Sequence, residues 1–165
     1  MNAWPHQSDV DKFYGNPRGM DGEPSASWEA ENIVRVIPPW PLVTSWDHAP
    51  VTKGARMHRK CAESLERVFD RIWLAAGKQP AKIQEWGMHL YGGGYNFRLM
   101  REGARLSMHS WGCAIDLDTA RNAFGDTTPN FALIPAVLDA FHAENWVWGG
   151  SWNKPDGMHF QAAII

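Results

Sequence analysis

The clearest helical period in this chain lies over residues 57–73, and it limits the architecture more than any other feature. Met57, Cys61, Leu65, Val68, Phe69, Ile72 and Trp73 recur at steps of three and four, while Arg59, Lys60, Glu63, Glu66, Arg67 and Asp70 fill the other faces. Such a stripe packs one helix against a core, and Gly77 is its expected stop. The other apolar runs are shorter. Residues 33–37 alternate as a strand until Pro38 and Pro39 halt them, and 83–90, 113–117, 146–148 and 158–161 also read as strands. Residues 133–144 read as a second helix, with Pro135 tolerated in the first turn. The glycine run at 91–95 is expected to be flexible. Gly15, Pro17, Gly19, Gly22 and Pro24 break any period near the N-terminus, so 1–32 is expected to be an extended arm and 33–165 a single domain. The sum is an α+β fold, a small and mostly antiparallel sheet packed on two main helices.

Composition narrows the function classes. The chain has 165 residues, enough for one domain with a sizeable core. Its 16 basic residues against 18 acidic ones give no field that would draw it to nucleic acid, so that partner is not expected. No run approaches a membrane span, and no basic stretch followed by an apolar core marks a signal peptide. Cys61 and Cys113 cannot make a disulfide framework or a C-x-x-C metal site.

The densest polar constellation is Ser107-Met-His109-Ser-Trp-Gly112-Cys-Ala-Ile-Asp116-Leu-Asp118, followed downstream by Asp156-Gly-Met-His159. Imidazole and carboxylate are usual zinc ligands, and three of them leave a fourth position for water. His109, Asp116 and His159 supply three, provided a turn at Trp111-Gly112 folds His109 back onto the strand that carries Asp116. Asp156, three residues before His159, is placed beside such an ion without ligating it, where it can move a proton. Competing motifs fail on particular residues. There is no H-E-x-x-H, and no G-K-[ST] follows the glycine run. Ser151-Trp-Asn-Lys154 matches S-x-x-K, but neither S-D-N nor K-T-G accompanies it. A calcium loop from Asp116 would need glycine where Arg121 stands.

The run Tyr95-Asn-Phe-Arg98, Arg101, Leu106 through Asp118, Asn122, Trp148-Gly-Gly and Asp156-Gly-Met-His-Phe160 resembles the zinc peptidases of bacterial cell-wall metabolism. That family includes D-alanyl-D-alanine carboxypeptidases and the L-alanyl-D-glutamate endopeptidases of phage endolysins, and is related in fold to the hedgehog signalling domain. The resemblance covers roughly residues 33–162. It implies a hedgehog-like fold, a zinc cofactor on His109, Asp116 and His159, and Asp156 as catalytic acid and base. Arg98, or the nearby Arg101, would polarise the scissile carbonyl or hold substrate, and Ser107 would bind substrate or support the ligands. The implied substrate is the peptidoglycan stem peptide, cut at an L-Ala-D-Glu or a D-Ala-D-Ala bond by a monomer. A phage lysin released through a membrane lesion, or a protein exported by another route, would fit. The alternative is a non-catalytic, zinc-dependent binding module of hedgehog type.

Ten tryptophans are a heavy load for a domain of this size. Trp73 belongs to the helix stripe. Trp111, Trp148 and Trp152 stand next to the candidate ligands and are expected to wall the zinc cleft and contact substrate. Trp4, Trp28, Trp40, Trp46, Trp86 and Trp146 carry no assignment from sequence.

Overall fold

A computed structural model describes residues 3–165. The helices are α1 (Val10–Tyr14), α2 (Ala26–Asn32), α3 (Arg59–Ala75), α4 (Pro80–Glu85) and α5 (Pro135–His142). The strands are β1 (Ile33–Val36), β2 (Leu42–Thr44), β3 (Pro50–Val51), β4 (Ala55–His58), β5 (Leu90–Gly93), β6 (Ala114–Leu117), β7 (Val147–Trp148) and β8 (His159–Gln161). Six strands form one sheet in the order β3-β2-β5-β6-β8-β7, and β1 pairs with β4 in a separate ribbon. Every pair is antiparallel except β2 with β5. The molecule is therefore α+β, with the mostly antiparallel sheet that the short connections imply.

Helix α3 follows the expected stripe. Cys61, Leu65, Val68, Phe69 and Ile72 are buried, and the helix packs on α5 and on β1. Met57 lies in β4 rather than in the helix, because His58 caps the N-terminus: its Nδ1 accepts from Lys60 N at 3.0 Å. The His58 Nε2 bonds the Tyr14 carbonyl at 2.9 Å. Where α5 meets the sheet, Phe141 stacks on Phe160 of β8 with ring centroids 3.9 Å apart.

Three expectations are corrected. Residues 83–90 are not a strand, because Pro80 occupies the first turn of α4 with its φ already helical, and Ile83 anchors that helix in the core. The chain becomes extended only from Leu90. The run at 91–95 is not a free loop: Gly92 and Gly93 belong to β5, and a Cβ on Gly92 would stand 2.5 Å from Thr119 Cγ2. Here glycine serves close approach rather than flexibility.

The N-terminal segment is not extended either. Its glycines and prolines separate short helices, and Trp4, Val10, Tyr14 and Trp28 are buried in the common core. Ser25 caps α2 by accepting from Trp28 N at 3.2 Å. Tyr14 Oη donates to Ala162 O at 2.7 Å, and Gln7 N donates to Ile164 O at 2.7 Å, so the two ends of the chain are stitched together.

Most of the tryptophan load is structural. Trp4, Trp28, Trp40, Trp111, Trp146 and Trp148 are buried, and every one of these indoles donates its N–H to a protein acceptor.

Candidate metal centre

The centre is assembled by two neighbouring strands and one tight turn. Antiparallel pairing of β6 with β8 sets Asp116 directly opposite His159. Just before β6, a 3₁₀ turn at Met108–Trp111 carries His109. Ser107 caps that turn, its Oγ accepting from His109 N at 3.3 Å. Gly112 ends it with φ 69°, and a Cβ there would stand 2.8 Å from His58 N. Only glycine suits that conformation and that approach, and the reversal returns His109 to Asp116 as the sequence spacing suggests.

His109 Nε2 and His159 Nδ1 both lie 3.2 Å from Asp116 Oδ1. The ligand atoms of the three residues fall within 4.8 Å of one another, and all three side chains are buried. The far nitrogens settle the tautomers. His109 Nδ1 lies 2.7 Å from the Gly94 carbonyl, which can only accept, so this nitrogen carries the proton. His159 Nε2 lies 2.8 Å from Gln161 Oε1. The Gln161 amide N is spent on Gln7 Oε1 and Ala163 O, each at 3.0 Å, which leaves its oxygen for His159. Two imidazole lone pairs therefore face one carboxylate oxygen.

That arrangement repels itself unless positive charge lies among the three atoms, and His109 Nε2 is buried with no hydrogen-bond partner. Nitrogen and oxygen donors with their outer nitrogens already tied fit a transition-metal ion. Without an ion, a proton on either imidazole can take its place against Asp116, and the titration of the group reflects that pairing. Burial pushes the Asp116 carboxyl upward, yet the imidazoles of His109 and His159 override it and hold the group well below the usual carboxylate range. Burial lowers His159, and Asp116 more than reverses that.

Asp156 sits beside this group. Its backbone N donates to Gly149 O at 2.9 Å and its own carbonyl accepts from His159 N at 3.1 Å, so the two residues bracket one tight turn. A Cβ on Gly149 would stand 2.6 Å from the Asp156 carbonyl oxygen. Asp156 Oδ1 is buried and has no hydrogen-bond partner. Burial raises the Asp156 carboxyl above its ordinary value, Asp116 adds to the rise, and His159, Arg101 and His109 oppose it. The result is a carboxylate more basic than one in water, at the edge of a cleft.

The remaining sequence candidates separate. Arg98 and Arg101 both line the cleft over His109 and Asp116; Arg98 bonds the Leu99 carbonyl, and Arg101 lies 5.1 Å from the Phe124 ring. Arg101 is the arginine whose charge reaches Asp156. Ser107 borders the cleft as the cap of the His109 turn. Trp152 lines the cleft with its ring 5.5 Å from the His159 ring. Trp111 and Trp148 do not take the expected position. Trp111 donates to Asp11 Oδ1 and Gly15 O, packing under the N-terminal segment, and Trp148 donates to the Gly157 carbonyl and covers Gly150. Gln161 and Gly94, which tie the outer nitrogens, carry no mark in the sequence reading. Gln161 had one available signal: two residues after His159 on a strand, it shares the same face.

The fold and site thus define an α+β domain in which His109, Asp116 and His159 form a buried group that could hold a metal ion. Residues 101–162, a little over a third of the chain, match a protein-family model described as D-alanyl-D-alanine carboxypeptidase. That match spans His109, Asp116, Asp156 and His159, and it supports a peptidase acting on D-Ala-D-Ala-type bonds. No match is found among curated proteins or among solved structures. Among the described residues, no helix is long and apolar enough to cross a membrane.

Proposed function

We propose that the protein is a zinc-dependent peptidase that hydrolyses an amide bond of the peptidoglycan stem peptide, on a hedgehog-like peptidase fold over residues 33–165. The observation that carries this reading is the convergence of His109 Nε2, Asp116 Oδ1 and His159 Nδ1, with both outer imidazole nitrogens already bonded. The family match over the same residues supports it.

Zinc held by His109, Asp116 and His159 would supply Lewis acidity to the scissile carbonyl and lower the pKa of water toward ~7. The protein's own groups do the rest. Asp156, with one oxygen unpartnered and its basicity raised by burial, takes the proton of the attacking water and delivers it to the departing amine. Arg98 or Arg101 steadies the negative charge that develops on the carbonyl oxygen. Gly94 and Gln161 keep His109 and His159 in ligating tautomers throughout.

A non-catalytic zinc-binding module would have no use for a buried, unpartnered carboxylate beside the ligands, so Asp156 favours the hydrolase. Digesting purified peptidoglycan and reading new amino and carboxyl termini by mass spectrometry tests the proposal. A new terminus within the stem, lost on chelation and restored by zinc, is the expected result. Zinc-loaded protein that leaves every stem intact would overturn it.

A further inference from the structure

The cleft runs to both sides of the metal ligands, and its two arms differ in chemistry. One arm, about 560 Å³, has Gly92, Gly93 and Gly94 beside His109 and Asp116 and ends at Trp46. Arg98, Arg101 and Asp116 border both arms, and the rest of this one, Asn96 and Thr119 among it, is uncharged apart from the His109 ligand. The other arm passes Asp156 and reaches Trp152 and Lys154. Lys154 pairs with Glu102, and both Lys154 and Arg101 lie 5.1 Å from the Phe124 ring, so that end carries charges of both signs. Asp156 borders this second arm and not the first.

Trp46 is unlike the buried indoles of this chain. It is 68% exposed, yet the turn beneath it is tightly held. Ser45 N donates to Tyr91 O at 2.8 Å, Ser45 Oγ bonds Thr119 Oγ1 at 2.8 Å, and Thr44 Oγ1 bonds the Asp47 carboxylate. A Cβ on Gly93 would meet nothing within 4 Å, so the strand between the indole and the ligands leaves open room where a side chain would stand. A rigid turn that presents a large apolar ring to solvent, at the end of an open arm of ligand-binding size, has the form of a stacking platform.

We infer that Trp46 is a specificity-determining residue, stacking on the neutral sugar ring attached to the acyl side of the scissile bond, with the leaving peptide lying in the Asp156 arm. This rests on the peptidase reading above. Asp156 must protonate the departing amine, so the leaving half belongs on its side. The acyl half then extends over the glycines. In peptidoglycan the stem is joined through its first residue to muramic acid, an uncharged pyranose once its lactyl carboxyl is amidated, and its C–H face matches the indole.

The test compares Trp46→Ala with the wild type on two substrates that share one stem, a disaccharide-linked muropeptide and the free peptide. The variant should show roughly 3- to 10-fold higher KM on the muropeptide with kcat unchanged, and unaltered kinetics on the free peptide. Trp46→Phe should recover most of the loss. Equal effects on both substrates, or none on either, would overturn the assignment. Equilibrium binding of the muropeptide to Asp156→Asn, with and without Trp46→Ala, separates the two claims. Weaker binding without Trp46 keeps the platform even if neither substrate is cut, and unchanged binding removes it.

Discussion

Replacing Gln161 with leucine should weaken metal binding without touching any ligand. In the wild type, the Gln161 amide oxygen accepts from His159 Nε2 at 2.8 Å, and its nitrogen is pinned by Gln7 Oε1 and Ala163 O at 3.0 Å. Leucine is close in size but leaves the His159 N–H buried without an acceptor, in a side chain that is 6% exposed. The ring can then pivot or swap tautomers, and either motion takes the Nδ1 lone pair away from the ion. Loss of such an outer partner costs about 10- to 100-fold in metal affinity, or about 1.4–2.7 kcal/mol. The orphaned N–H adds about 1–3 kcal/mol of lost stability in the metal-free protein. Competition against a chromophoric chelator gives the affinity, and denaturant unfolding with excess chelator gives the stability. Gln161→Glu, which keeps an acceptor facing Nε2, should bind metal more tightly than Gln161→Leu. A folded Gln161→Leu protein with wild-type affinity would refute the view that this hydrogen bond positions His159.

Asp156→Asn should retain the metal and lower kcat by about 10²- to 10⁴-fold, since asparagine cannot carry the proton; a peptide-release assay beside elemental analysis reads both quantities. Gly94→Ala would place a Cβ 2.2 Å from Arg56 O, so it should destabilise the fold and displace the carbonyl that holds His109, seen as lowered Tm and weaker metal binding. His58, fully buried and bonded at both nitrogens, has its pKa pulled down to about 4, by burial first and then by Arg59 and Lys60, against the opposing bond to Tyr14 O. The unfolded chain therefore takes up a proton near pH 6.5 that the folded chain refuses until about 4. Stability contributed by neutral His58 is full above pH 6.5 and is lost as pH falls toward 4, by about 3 kcal/mol in all. Denaturant unfolding between pH 7 and 4 checks this, and His58→Gln should flatten that part of the profile.

Chemistry was easier to read from the sequence than packing. His109, Asp116, Asp156 and His159 stood out because few residue types ligate metals or move protons; the turn ended by Gly112 returns His109 to Asp116, and strand pairing sets His159 opposite it. The strip of apolar residues now in α3 was equally plain, since burial imposes its period directly. What escaped depended on partners distant in sequence. Residues 1–32 read as an arm because the glycines and prolines hide helices of only a turn or two, which in the described part, 3–32, draw their stability from Tyr14 and Trp28 docking on a core built much later in the chain. Residues 83–90 read as a strand, but Pro80 starts a helix that takes in 83–85. Trp111 and Trp148 were placed in the cleft by adjacency to ligands, but both are buried and spend their N–H groups on the Gly15 and Gly157 carbonyls. The exposed indole near the site is instead Trp46, brought there by the pairing of β2 with β5.

Zinc stoichiometry of the wild type and of His109→Ala, measured by elemental analysis after exhaustive dialysis, tests the central claim most directly. The account predicts one zinc per wild-type chain and close to none in the variant, with circular dichroism showing that both are folded. A wild type that retains no zinc, or a folded His109→Ala protein that retains a full equivalent, would contradict it.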